Sequence, residues 1–250
     1  MNRKLILFYI LGGFFITNAL VAELIAGKIF AMPIPGFIQA LLQLIGIGEK
    51  NFIVSVGVIP WPIVFVATDL VNEFFGRKGV RFYTYVTAGL ITYTFLLLLL
   101  AEKVPAVDFS PVSQAAFTTV FRTSQWIIVG SLTAFLISQF IDILVFTHVR
   151  KRTGNKHLWA RTTGSTLVSQ LVDTFVVGFI GFYLPGSFTW NQYLQVGTTS
   201  YTYKILVAIA VTPLCYLGHM AIEKFLGKEE AKKMAHDAAQ QGPTPLETFI

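Results

Sequence analysis

At 250 residues the chain is 54% hydrophobic and only 13% charged, with a mean hydropathy of +0.64. A soluble globular domain, in which about a quarter of residues carry charge, is excluded. Apolar stretches of about 20 residues recur, each long enough to cross a roughly 30 Å hydrocarbon core as a helix. A β-barrel is excluded as well, because it alternates apolar and polar residues and has no runs such as Leu96 to Leu100. The net charge of +6 reads as Lys and Arg retained on one side of a membrane rather than as a nucleic-acid surface. The one cysteine, Cys215, leaves no intrachain disulfide and no cysteine-based metal cluster.

The sequence therefore predicts an all-α, polytopic helical membrane protein with six transmembrane helices, near 5–30, 52–75, 80–101, 124–149, 161–184 and 200–226. The first is too long for a signal-peptide core and lacks a small-residue cleavage site, so it is read as a span. Asn18 sits near its middle, as interhelical glue or as a ligand, and Glu23 lies toward its outer end. A loop with Pro33, Pro35, Gly36, Gly46 and Gly48 follows. In the second span Pro60-Trp61-Pro62 predicts a kink, since proline removes an internal hydrogen bond. Beyond it Asp69, Asn72 and Glu73 share one helical face. Glu73 either pairs with Arg77 one turn later or joins Asp69 and Asn72 in a site. Intramembrane acids commonly mark substrate or ion routes.

Spans four and five carry one phrase twice. Ser138-Gln139-Phe140-Ile141-Asp142 and Ser169-Gln170-Leu171-Val172-Asp173 both read Ser-Gln-apolar-apolar-Asp, with the basic stretch Arg150 to Arg161 between them. Gln and Asp three apart share a helical face. In an antiparallel hairpin turned at the basic loop, the two phrases are expected at similar depth as a polar pocket. Gly164, Ser165 and Ser169 permit close helix approach there. In span six Lys204 either snorkels outward or meets a charge partner such as Glu23.

Fourteen of the 19 Lys and Arg precede span one, follow span six, or fall between spans two and three and between four and five. By the positive-inside rule both termini are cytoplasmic. Residues 1–226 form the membrane domain, and 227–250 a cytoplasmic tail that runs from a fraying helix into disorder. No HExxH, GxSxG or GxxxxGK[ST] motif is present. The four histidines lack metal partners at ligand spacing, so no enzyme activity, metal or cofactor is expected.

Thr68-Asp69-Leu70-Val71-Asn72-Glu73-Phe74-Phe75-Gly76, the doubled Ser-Gln-x-x-Asp, Lys156-His157-Leu158-Trp159, and Tyr203-Lys204-Ile205-Leu206 followed by Thr212-Pro213-Leu214 together resemble the VUT family of integral membrane proteins. Its members are also called queuosine-precursor transporters. The likeness runs from about Asn18 to Lys224. Two positions depart from the family pattern: Trp126 stands where members often carry Arg, and Arg161-Thr162-Thr163 stands where many have Arg-Asn-Asn. The resemblance implies uptake of 7-cyano-7-deazaguanine or 7-aminomethyl-7-deazaguanine across a bacterial inner membrane, for synthesis of the tRNA nucleoside queuosine.

A guanine-like edge offers adjacent N–H donors to a carboxylate and a carbonyl acceptor to an amide. Phe140, Phe175 or Phe179 offers a stacking face, and an aminomethyl cation calls for a second carboxylate. The expected substrate-binding set is Asp142, Asp173, Gln139, Gln170 and Asp69, followed by Asn72, Glu73, Asn18 and Lys204. The expected partners are this small base and the bilayer, not nucleic acid. The alternatives are import of another vitamin-like or nucleobase solute, a scaffold role in a larger transporter, and an intramembrane enzyme using the two Asp residues as an acid–base dyad.

Overall fold

The computed structural model describes residues 3–44, 50–153 and 158–239. The side chains of Arg77, Gln139, Asp142 and most residues flanking 154–157 lie outside the described residues, as do Gly46, Gly48, Lys156, His157 and the tail beyond 239. The described chain is mostly helical. Its elements are α1 (Arg3–Ile25), β1 (Ile29–Pro33), α2 (Gly36–Leu44), β2 (Asn51–Ser55), α3 (Trp61–Glu102), α4 (Gln114–Thr153), α5 (Leu158–Gly178), α6 (Trp190–Ala210), α7 (Thr212–Leu226) and α8 (Lys228–Ala239).

Among the described residues four stretches are long and apolar enough to cross a membrane: Arg3–Ile25, Val56–Gly76, Lys78–Glu102 and Gln114–Ser138. Trp190–Ala210 and Pro213–Leu226 meet at a 42° bend and qualify together as one crossing. Leu167–Tyr183 is a shorter apolar helix.

The helix boundaries have local causes. Pro60 and Pro62 flank Trp61 at the start of α3, where a missing N–H costs nothing. The break expected here lies inside the apolar stretch Val56–Gly76, between the 3-10 turn at Val56–Val58 and the start of α3. A second interruption, within α3, falls at Gly76, whose φ of 69° and ψ of −171° suit glycine alone. It separates the second and third apolar stretches beside Arg77, Lys78 and Arg81. At the start of α6, Thr189 and Gln192 form a reciprocal cap: the Gln192 N–H donates to Thr189 Oγ1 at 3.3 Å, and the Thr189 N–H donates to Gln192 Oε1 at 2.8 Å.

Residues 26–58 depart from the all-helical expectation. Rather than the end of one span and the start of the next, they hold an antiparallel hairpin pairing Ile29 with Ser55 and Pro33 with Asn51, then a 3-10 turn over Val56–Val58. The β-branched and aromatic residues Ile29, Phe30, Phe52, Ile53 and Val54 favour strands, but in an apolar context they read as helix ends.

The chain divides into two compact units. The first holds residues 1–22, 59–91 and 207–250. Its core packs Leu7, Leu11 and Phe15 against Val71, Phe74, Tyr83, Ile222 and, from α8, Met234. Tyr83 donates a hydrogen bond to the Phe8 carbonyl. A Cβ at Gly12 would sit 2.1 Å from the Tyr83 ring, so only glycine admits that ring.

The second unit holds residues 23–58 and 92–206. In it α4 and α5 pack along each other. A Cβ at Gly130 would lie 3.1 Å from Gly181 N and 3.2 Å from Val177 O. A π-helical turn, Phe179–Tyr183, extends α5 at this contact.

Candidate substrate site in the second unit

Asp173 on α5 and Lys204 on α6 form a buried ion pair, with Nζ 2.9 Å from Oδ2. Register between the two helices is fixed by three contacts. The Tyr193 hydroxyl donates to Phe175 O at 3.2 Å, the Tyr201 hydroxyl donates to Leu167 O at 3.1 Å, and Gly197 faces the Phe175 ring, where a Cβ would come within 2.8 Å. Lys204 thus has a charge partner rather than snorkelling outward: Asp173 holds it directly, with Glu23 in electrostatic range. Its ammonium is held by a carboxylate, as burial of a charge demands.

Glu23, on the last turns of α1, completes the group. Its carboxyl lies near Ser131 of α4 and within electrostatic range of Asp173 and Lys204. The hairpin holds this arrangement. The Ser55 hydroxyl donates to Ala26 O at 2.6 Å, just after α1. On the other side the Thr199 hydroxyl donates to Ile53 O at 2.9 Å and accepts from the Ile53 N–H at 3.3 Å. Two acceptors remain buried without a partner here among the described residues, Glu23 Oε2 and Gln170 Oε1. Gln170 stands three residues before Asp173 on the same helical face.

The repeated phrases overlap only in part. Trp126 and Ile127 lie against Gly181, and Gly130 against Val177 and Gly181, so α4 and α5 run antiparallel in a defined register. Continued along both helices, it sets Ser138 level with Gln170 but offsets the Asp142 and Asp173 backbones by about 6–10 Å along the axis. Ser138 and Ser169 are both buried in this packing. The Gln139 and Asp142 side chains are outside the described residues.

In the first unit Asp69, Asn72 and Glu73 lie on one face of α3 beside α7. Cys215 Sγ donates to Asp69 Oδ2 at 3.5 Å. Glu73 Oε1 is 3.9 Å from His219 Nε2, and the His219 ring packs on Phe74. Glu73 thus has a histidine neighbour that sequence spacing did not suggest; its expected partner Arg77 has a side chain outside the description. The Asn18 amide donates to Phe14 O of its own helix at 2.8 Å. The sequence-predicted set is accordingly divided, with Asp173, Gln170 and Lys204 gathered in one unit and Asp69, Asn72, Glu73 and Asn18 in the other. Glu23 and Ser131 were outside that set. The signal for Glu23 was an acid inside an apolar run.

Buried charges and unpartnered acceptors among apolar helices suit the binding of a small polar solute, and comparison with known proteins specifies the class. Residues 55–218 match the family described as "Putative vitamin uptake transporter". The chain belongs to this family of membrane transporters and is not an enzyme. A "Probable queuosine precursor transporter" of Bacillus subtilis is 33% identical, over 70% of this chain and 74% of the relative. One of the same description from Haemophilus influenzae is 28% identical, over 74% and 77%. The "Queuosine precursor transporter" of Escherichia coli is 25% identical, over 78% and 91%. No solved structure gives a significant match.

Proposed function

We propose that this chain imports queuosine precursors, 7-cyano-7-deazaguanine or 7-aminomethyl-7-deazaguanine, across a bacterial inner membrane. In this reading it crosses six times, with both termini and the 227–250 tail in the cytoplasm. The observation that carries the site is the Asp173–Lys204 pair beside the unpartnered Gln170 oxygen, enclosed by apolar helices. Its chemistry complements the base edge: Lys204 has N–H groups to offer a ring carbonyl, and Gln170 Oε1 accepts from a ring N–H or exocyclic amine. Gln139 and Asp142 belong to the proposed site through the repeat. Asp69, Asn72 and Glu73 on α3, and Asn18 on α1, are further polar residues of the proposed route.

Expression in a bacterium that makes no 7-deazaguanines and has lost its own importer tests this reading. With nanomolar 7-cyano-7-deazaguanine in the medium, queuosine is expected to return to tRNA. Absence of queuosine with either base, in cells whose membranes contain the protein, contradicts it and favours the rival solute class, a vitamin, to which the family description points, or another nucleobase.

A further inference from the structure

Asp173 is already engaged: its Oδ2 holds the Lys204 ammonium at 2.9 Å. Among the described residues of this unit the carboxyl with a buried, open oxygen is that of Glu23, whose Oε2 has no partner. Gln170 Oε1, one turn from Asp173, is the second buried acceptor without a donor. A buried acceptor left unpaired is costly, and two such acceptors around one ion pair call for a ligand rich in donors. The hairpin bonds at Ser55 and Thr199 fix the end of α1 and the register of α6, so Glu23 and Lys204 are presented together from a braced frame.

We propose that Glu23 is the specificity-determining carboxyl of the transport site, accepting the adjacent ring N–H and exocyclic N–H of a fused-ring base with a 2-amino-4-oxopyrimidine edge. Asp173 then acts as a positioning residue that aims Lys204 at the ring carbonyl. The assignment rests on the proposed substrate class. It exchanges the roles that spacing alone suggests for the two acids: the acid in the repeated phrase holds a lysine, and the isolated acid on α1 reads the base. Ser131 sits beside Gly130, whose close contact with α5 sets the depth of that hydroxyl.

The test is competition against uptake of labelled 7-cyano-7-deazaguanine, using the unlabelled base and its counterpart lacking the 2-amino group, in membranes with matched protein levels. A site built to accept a ligand's N–H groups rejects an analogue that lacks one, so wild-type protein should bind the desamino base at least about tenfold more weakly. Glu23→Gln keeps the volume and removes the second acceptor oxygen; it should weaken the 2-amino base by at least about tenfold and bring the two bases within about threefold of each other. Ser131→Ala should move both values in the same direction by less. Asp173→Asn should weaken both bases alike and leave their ratio unchanged. Wild-type affinity and discrimination in Glu23→Gln would overturn the assignment while leaving the transport reading intact. Uptake of neither base by wild-type protein would overturn that reading, and the assignment with it.

Discussion

The Lys204 ammonium stands 2.9 Å from the Asp173 carboxylate, with only 10% and 11% of the two side chains exposed. Removing one partner of such a pair strands the other charge in a low-dielectric setting. Lys204→Met and Asp173→Leu are each expected to cost about 3–5 kcal/mol. The double variant should recover most of that stability, because two apolar groups leave no charge unpaired, yet it should not transport. Thermal unfolding of purified protein, alongside uptake, separates the two effects. A double variant that transports would show the pair to be structural only.

The α4–α5 contact predicts intolerance at Gly130. Its would-be Cβ faces backbone atoms, Gly181 N at 3.1 Å and Val177 O at 3.2 Å, which cannot swing aside. Gly130→Val should cost about 1–3 kcal/mol by overpacking and reduce uptake by displacing Ser131. Gly13, around which a Cβ meets nothing within 4 Å, should accept Ala with little change in melting temperature.

Thr199 ties the hairpin to α6 through Ile53. Thr199→Val keeps the shape, removes the hydroxyl, and leaves the Ile53 carbonyl without that donor. The expected cost is about 1–2 kcal/mol, together with weaker apparent affinity as Lys204 loses its brace. Thr199→Ser should behave as wild type, and equal losses in both variants would argue against the bond.

These predictions rest on features that the sequence disclosed unevenly. The apolar runs and the basic segment after Gly76 were legible because hydropathy and charge placement are local signals. The hairpin was not: Ile29 and Ser55 pair across a long connection, and short apolar strands beside apolar helices carry no distinct period. The Asp173–Lys204 pair was half legible. Both residues stood out as charges in apolar runs, but their meeting depends on a register set by Gly197, Tyr193 and Tyr201, which spacing does not reveal. The offset of Asp142 from Asp173 likewise follows from the Gly130–Gly181 contact and not from the repeat.

At the other end of the chain, Lys4 of α1 pairs with Glu230 of α8. The lysine's hydrogen bond and charge hold the Glu230 carboxyl below its ordinary value of 4.5. A depressed carboxyl contributes stability above that ordinary value and loses it as pH falls through the lower, folded value. Hydrogen exchange of the α8 amides should therefore differ slightly between wild type and Glu230→Gln at neutral pH, with the difference vanishing at strongly acidic pH. Because the pair is exposed, the effect should be small. Met234→Asp, which places a charge in the apolar contact with α1, should accelerate exchange throughout the helix.

The single cysteine makes orientation testable. In a Cys215→Ser background, cysteines placed singly at Lys78 and Lys228 should resist an impermeant thiol reagent in intact cells, and cysteines at Asp108 and Ser187 should react. The reverse pattern would contradict the cytoplasmic assignment of the termini, which rests on the distribution of Lys and Arg.

The central claim is best tested by uptake of labelled 7-cyano-7-deazaguanine into proteoliposomes containing only this protein, wild type beside Asp173→Asn. The account predicts saturable entry with wild-type protein and entry with at least about tenfold weaker apparent affinity in the variant. Saturable entry at equal rates in both would contradict the site. Entry in neither, with folded protein in the bilayer and the aminomethyl base also excluded, would contradict the substrate.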